Sequence, residues 1–159
     1  MLTQECLKQL LSYNPETGEW RWVNAPKHNA RLNNLVAGSV RHDGYRKIRV
    51  GGTAYYASRL AFLYMTGKWP KNEVDHIDRD PSNDCWSNLR EATSSQNKYN
   101  RDTRYSGYRG VYPCGKDTWR VQVGGIYLGT FGKLEEAIAA RDATAVDFAG
   151  DFAVLNGAI

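Results

Sequence analysis

The chain has 159 residues, 42% hydrophobic and 12% aromatic, with 15 glycines, a net charge of +4 and a pI near 9. That length suits one medium domain or two small ones, with enough apolar residues for packed cores. No apolar run is long enough to span a bilayer, and the start Met1-Leu2-Thr3-Gln4-Glu5 lacks a basic-then-apolar signal, so a soluble, cytoplasmic protein without membrane contact is expected. Cys6, Cys85 and Cys114 are odd in number and scattered, which does not read as a disulfide framework, and the absence of Cys-x-x-Cys argues against a structural zinc ribbon. Charge is unevenly spread: residues 1–74 carry 11 Lys/Arg against 5 Asp/Glu, whereas 75–106 and 107–159 each carry 5 against 6. Mild basicity alone identifies no partner. A basic front half beside an acidic centre points to nucleic acid, because phosphates need cations and a metal needs carboxylates.

In chain order, Thr3 is placed to cap a short helix in which Cys6, Leu7, Leu10 and Leu11 recur at helical spacing. Residues 13–18 are a turn cluster, and Glu19–Val23 reads as a strand. Residues 24–37 show no period and are expected to form a loop. Strands are expected at Ser39–His42, Tyr45–Val50 and Thr53–Ala57, separated by the turns Asp43-Gly44 and Gly51-Gly52. Ser58–Thr66 predicts a short buried helix stopped by Gly67. Ser94–Arg101 predicts another helix, and 102–107 a linker. The remainder predicts three short strands and an amphipathic helix over Leu134–Ala149. No internal repeat or low-complexity tract is visible.

The chemistry concentrates in Val74-Asp75-His76-Ile77-Asp78, Asn88-Leu89-Arg90 and Gln96-Asn97. One carboxylate, one imidazole and two carboxamides fall within a short span. These groups suit holding a hard divalent cation on a phosphodiester and activating a water beside it. At these spacings the stretch resembles the HNH endonuclease family. The resemblance implies a hairpin, through Glu73–Ile77 and Trp86–Arg90, packed on a helix in the ββα-metal arrangement. It implies Asp75 and Asn97 as oxygen ligands of one divalent cation, Mg²⁺ or Mn²⁺, with phosphate and water completing the shell. His76 would be the base that takes a proton from the attacking water, and Asn88 would hold His76 or the hairpin in register. Neighbouring strand residues point to opposite faces, so a twist or bulge is expected where Asp75 and His76 serve different partners. Asp78, Asp80 and Asp84 read as loop and turn carboxylates rather than ligands. Arg90, Lys98, Arg101 and Arg104 flank the motif and are candidates for phosphate contact. Arg59 is another: many phage members read His-Arg-Leu-Ala-Trp there, and here Ser58 stands in place of the His.

The third part carries Tyr108-Arg109-Gly110-Val111, Trp119–Val123, Tyr127-Leu128-Gly129-Thr130-Phe131 and a closing Ala153-Val154-Leu155-Asn156. It resembles the plant Apetala-two/ethylene-response-factor DNA-binding domain. Alternation puts Trp119, Val121 and Val123 on one face and Arg120 and Gln122 on the other. It also turns Ile126 and Leu128 inward and Tyr127 outward. Leu134, Ala137, Ile138 and Phe148 are the helix residues expected to pack. Residues 107–132 carry three basic side chains against one acidic, and 133–159 two against five, so a positive sheet backed by a negative helix suits major-groove binding. Position by position, the resemblance implies Arg109, Tyr112, Arg120, Gln122 and Tyr127 as DNA contacts. Gly124 and Gly125 replace two arginines of that family, which shifts the expectation from guanine readout towards phosphate or shape contacts.

The expected architecture is α+β in three parts: a basic β-rich segment over 1–50 that touches DNA, an HNH nuclease over 51–104, and a three-stranded antiparallel sheet packed on one helix over 105–159. The expected function is single-metal hydrolysis of double-stranded DNA by a phage-type nicking or homing enzyme, monomeric or weakly dimeric, with no small-molecule cofactor. The alternatives are a non-catalytic DNA-binding regulator with a decayed nuclease core, and a nuclease specific for branched structures.

Overall fold

In the computed structural model, which describes residues 2–100 and 107–156, helix α1 (Gln4–Leu10) begins where the Thr3 hydroxyl accepts the Cys6 N–H at 3.3 Å. The helix stops at Leu11, which turns extended and opens strand β1 (Leu11–Tyr13) rather than continuing the helical repeat. Strand β1 pairs antiparallel with β2 (Trp20–Trp22), whose alternation buries both tryptophans and exposes Arg21. Residues 24–37 are not wholly irregular, since Lys27–Leu32 winds into a short 3-10 turn.

A three-stranded sheet follows in the order β3 (Ser39–Val40), β4 (Arg46–Val50), β5 (Thr53–Tyr56); β3 is shorter than expected. Helix α2 (Ala57–Thr66) ends at Gly67, whose φ of +74° is the left-handed conformation that glycine takes without a Cβ clash. It packs on α1, β4 and β5. Strand β6 (Glu73–His76) then pairs with β7 (Leu89–Ala92). Trp86–Asn88, expected as strand, is a 3-10 turn that leads into β7. The chain divides into two compact units, residues 1–93 and 94–159. The first is built on one core in which Leu7, Leu11, Trp20, Ile48 and Leu60 are fully buried and to which Leu89 also belongs. Each such leucine or isoleucine contributes about 1.5–3 kcal/mol on leaving water.

The second unit holds α3 (Ser94–Tyr99), an antiparallel sheet in the order β10 (Ile126–Phe131), β9 (Thr118–Val123), β8 (Val111–Gly115), and helix α4 (Leu134–Ala149) packed on that sheet. Val111, Val121 and Ala137 form its buried centre. The side of α4 that is buried runs Ala137, Arg141, Ala145, Ala149, one residue per turn. Phe148 lies off that line and is 49% exposed, against expectation. Ile126 is also outward, because it stands at the turn end of β10, and a bulge between Tyr127 and Gly129 breaks the two-residue alternation. Among the described residues no helix is long and apolar enough to cross a membrane.

Candidate active site

Asp75 and His76 sit side by side on β6, and both are 5% exposed. The ladder runs without a register shift from Glu73↔Ala92 to His76↔Leu89, so the expected bulge is absent. Strand alternation turns the two side chains to opposite faces. Asp75 accepts a 2.8 Å bond at Oδ2 from Nε of Arg90, the residue directly across the ladder. His76 Nε2 lies 3.1 Å from Asp84 Oδ1, and Asp84 is 3% exposed. The edge of the Tyr45 ring meets the His76 ring at 5.8 Å between centroids. Asp84 is therefore no ordinary loop carboxylate but the buried partner of the imidazole.

The loop that delivers Asp84 is held from two sides. Asn88, 8% exposed, donates to Asp78 Oδ1 at 2.9 Å and to the Asn83 carbonyl at 2.8 Å, and accepts the Asp78 N–H at 3.0 Å. Partial burial pushes the Asp78 pKa up, but the Asp80 N–H, the amides of Asn83 and Asn88, and the His76 ring outweigh it and hold the carboxyl below its ordinary range. From the other side, the Tyr13 hydroxyl donates to the Asp84 carbonyl at 2.6 Å, and burial raises its pKa. Trp86 N–H donates to the Pro15 carbonyl at 2.8 Å, and a Cβ on Gly18 would lie 2.5 Å from the Asp84 carbonyl carbon.

The remaining candidates are spread over both units. Arg59 donates to the carbonyls of Asn72 (2.7 Å) and Pro70 (3.1 Å), tying α2 to the segment before β6. Asn97, half-buried, and Lys98, exposed, lie on α3 of the second unit. Arg101 and Arg104 fall outside the described residues. Tyr112 pairs with Arg120, and Gln122 with Tyr127, so these four share the outward sheet face. The Arg120 guanidinium lies 5.9 Å from the Tyr112 ring centre. Arg109 is half-buried: its Nη1 donates to the Tyr99 carbonyl, and it lines a pocket of about 260 Å³ with Lys98, Tyr112, Gln122 and Arg141. Asn156 accepts the Arg109 N–H at 2.6 Å and donates to its carbonyl at 2.9 Å, while its own N–H reaches Asp142 at 2.8 Å.

Sequence reasoning missed Asp84, Tyr45, Arg141 and this role of Asn156. Asp84 carries no local signal that separates it from Asp78 and Asp80. Asn156 had one, its place in the closing Ala-x-Leu-Asn, but no assigned contact.

Residues 55–99, a segment that spans Asp75, His76, Asn88 and Asn97, match the model of a family described as HNH endonuclease. A solved structure described as "DNA binding and cleavage by the HNH homing endonuclease I-HmuI" is similar over 57% of this chain and 51% of its own, at 24% identity and a TM-score of 0.44. This chain thus spans about half the length of that protein. No curated protein matches it.

Proposed function

We propose that the chain is a DNA endonuclease that hydrolyses phosphodiester bonds by single-metal chemistry, a site-specific nicking or homing enzyme of phage type that acts in the cytoplasm on duplex DNA. The buried His76–Asp84 pair, on the strand that also carries Asp75 and within the HNH-matched segment, is the observation that supports this reading most. With Nε2–H donating to Asp84 Oδ1, Nδ1 is the nitrogen whose lone pair takes a proton from the attacking water. The Asp84 carboxylate then stabilises the imidazolium that forms. Asn88 acts on the loop, keeping Asp84 where the ring needs it.

The donor chemistry fits a hard cation. Asp75 offers carboxylate oxygen, and Asn97 is assigned as the amide-oxygen ligand from motif spacing alone. A cation that takes few protein ligands and fills its shell with phosphate and water, Mg²⁺ or Mn²⁺, suits that set. When bound, it would supply Lewis-acid polarisation of the phosphate and stabilise charge on the leaving oxygen. Arg90, 18% exposed and paired with Asp75, is placed to neutralise charge beside it. The basic residues of 1–50 and the outward residues Tyr112, Arg120, Gln122 and Tyr127 would grip DNA, in the manner of an ethylene-response-factor-like sheet for the latter. One site per chain implies one nick per binding event.

Supercoiled plasmid incubated with the protein and Mg²⁺ or Mn²⁺ should relax. His76→Ala should abolish relaxation while leaving a gel shift intact. One observation favours the non-catalytic regulator instead: Asp75 and His76 are both buried and engaged by protein partners. Supercoils that stay intact under both metals while the gel shift persists would establish that rival.

A further inference from the structure

The outward face of the β3–β4–β5 sheet carries an uninterrupted series of rings and cations that ends at His76. Lys47 and Tyr56 are directly opposite in the ladder, and the Lys47 ammonium lies 4.2 Å from the Tyr56 ring centre. The Tyr56 ring meets Tyr45 edge to face at 5.6 Å, and Tyr45 meets His76 at 5.8 Å. Tyr45 and Tyr56 are 37% and 36% exposed, whereas the imidazole behind them is buried. Two residues on from Lys47, exposed Arg49 extends the same face, and both line a groove of about 550 Å³ with Trp22 and Leu32. Residues 39–56 hold four basic side chains against one acidic, and that one, Asp43, is paired with Arg41 at 3.2 Å.

The turn that aims Tyr45 is fixed against the nuclease loop. Gly44 has a φ of +84°, and a Cβ there would lie 2.5 Å from Pro81 Cγ. Close packing of this turn on the loop that holds Asp84 places Tyr45 over the imidazole.

We propose that Lys47, Tyr56 and Tyr45 form a nucleotide-binding track that seats the DNA segment next to the scissile phosphate and leads it to His76. Positive charge without an opposing carboxylate suits the backbone, and exposed rings suit stacking against a base or sugar regardless of sequence. Tyr45 acts here as a positioning residue: it covers His76 on the side from which the strand arrives. The proposal rests on the nuclease reading for its endpoint, and on nothing but the sheet face for its binding chemistry.

Two measurements separate them. Tyr56→Ala and Lys47→Ala are each compared with the parent in plasmid nicking with Mg²⁺ and in anisotropy with a fluorescein-labelled duplex oligonucleotide. The expected result is about a tenfold rise in both KM and Kd for Tyr56→Ala, with kcat within about twofold, and near-parent values for Tyr56→Phe, which keeps the ring. Lys47→Ala should weaken binding several-fold and flatten its salt dependence. Unchanged KM and Kd in both alanine variants would overturn the track even if cutting persists. Should Tyr56→Ala unfold, Lys47→Ala decides alone, since it removes no packed ring. If the parent does not cut, the nuclease reading fails, and the Kd comparison still decides the track.

Discussion

Asp84 determines what His76 can do. A neutral imidazole has two tautomers, and a buried carboxylate beside Nε2 selects the one with its proton there. Asp84→Asn keeps the shape but removes the charge that, in the proposed reaction, would stabilise the imidazolium. The nicking rate should fall about 10²-fold or more with DNA affinity unchanged; initial rates on plasmid under saturating Mg²⁺ measure it. A rate within about threefold of the parent would make Asp84 a packing residue only. Asp75, His76 and Asn88 were singled out from the sequence, and the structure buries all three at the hairpin. Asp84 was not singled out, because three aspartates share its loop and only the folded hairpin buries one of them. Arg141 escaped for a similar reason: its guanidinium is buried by donating to Asp142 and to the Val154 carbonyl, a partner set that helical periodicity does not reveal.

The hairpin β6–β7 and its loop depend on a carboxylate held in its charged form. Asp78 has its folded pKa lowered from an ordinary value of 3.8, so the stability it contributes is present above about pH 4 and is lost as pH falls through the lower folded value. Asp78→Asn should therefore melt below the parent near neutral pH, and the two should converge as the pH falls through the lowered folded value, as followed by circular dichroism. A gap that persists at the acidic end would show that the bonds, not the charge, hold the loop. Side-chain bonding also explains why Trp86–Asn88 is a 3-10 turn and not strand: Asn88 binds Asp78 and Asn83, and local side-chain bonds of this kind compete with a ladder. Helix α4 posed no such difficulty. Its expected and observed bounds coincide, although Phe148, expected to pack, is exposed.

Across the molecule, sequence-distant segments are joined by single side chains. Asn156 closes the second unit by bonding both backbone groups of Arg109, a separation of 47 residues. Asn156→Ala removes both bonds and should cost about 1–3 kcal/mol, seen as a lower melting temperature and faster amide exchange at Gly110 and Val111. Unaltered exchange there would show that the clamp contributes nothing. The three-stranded sheet behind it was legible from alternation and turn glycines, whereas the clamp needed the fold.

The bonds that Tyr13 donates to Asp84 and Trp86 donates to Pro15 bear on where the family-matched segment can be cut from the chain. The stretch that matches the nuclease family starts at residue 55, yet the acid that steers its imidazole is moored by residues near the amino end. A transplanted cassette cut at the family boundary would carry every motif residue and still leave that acid adrift. A fragment that is to keep Asp84 in place must therefore include the chain from Tyr13 to Gly18.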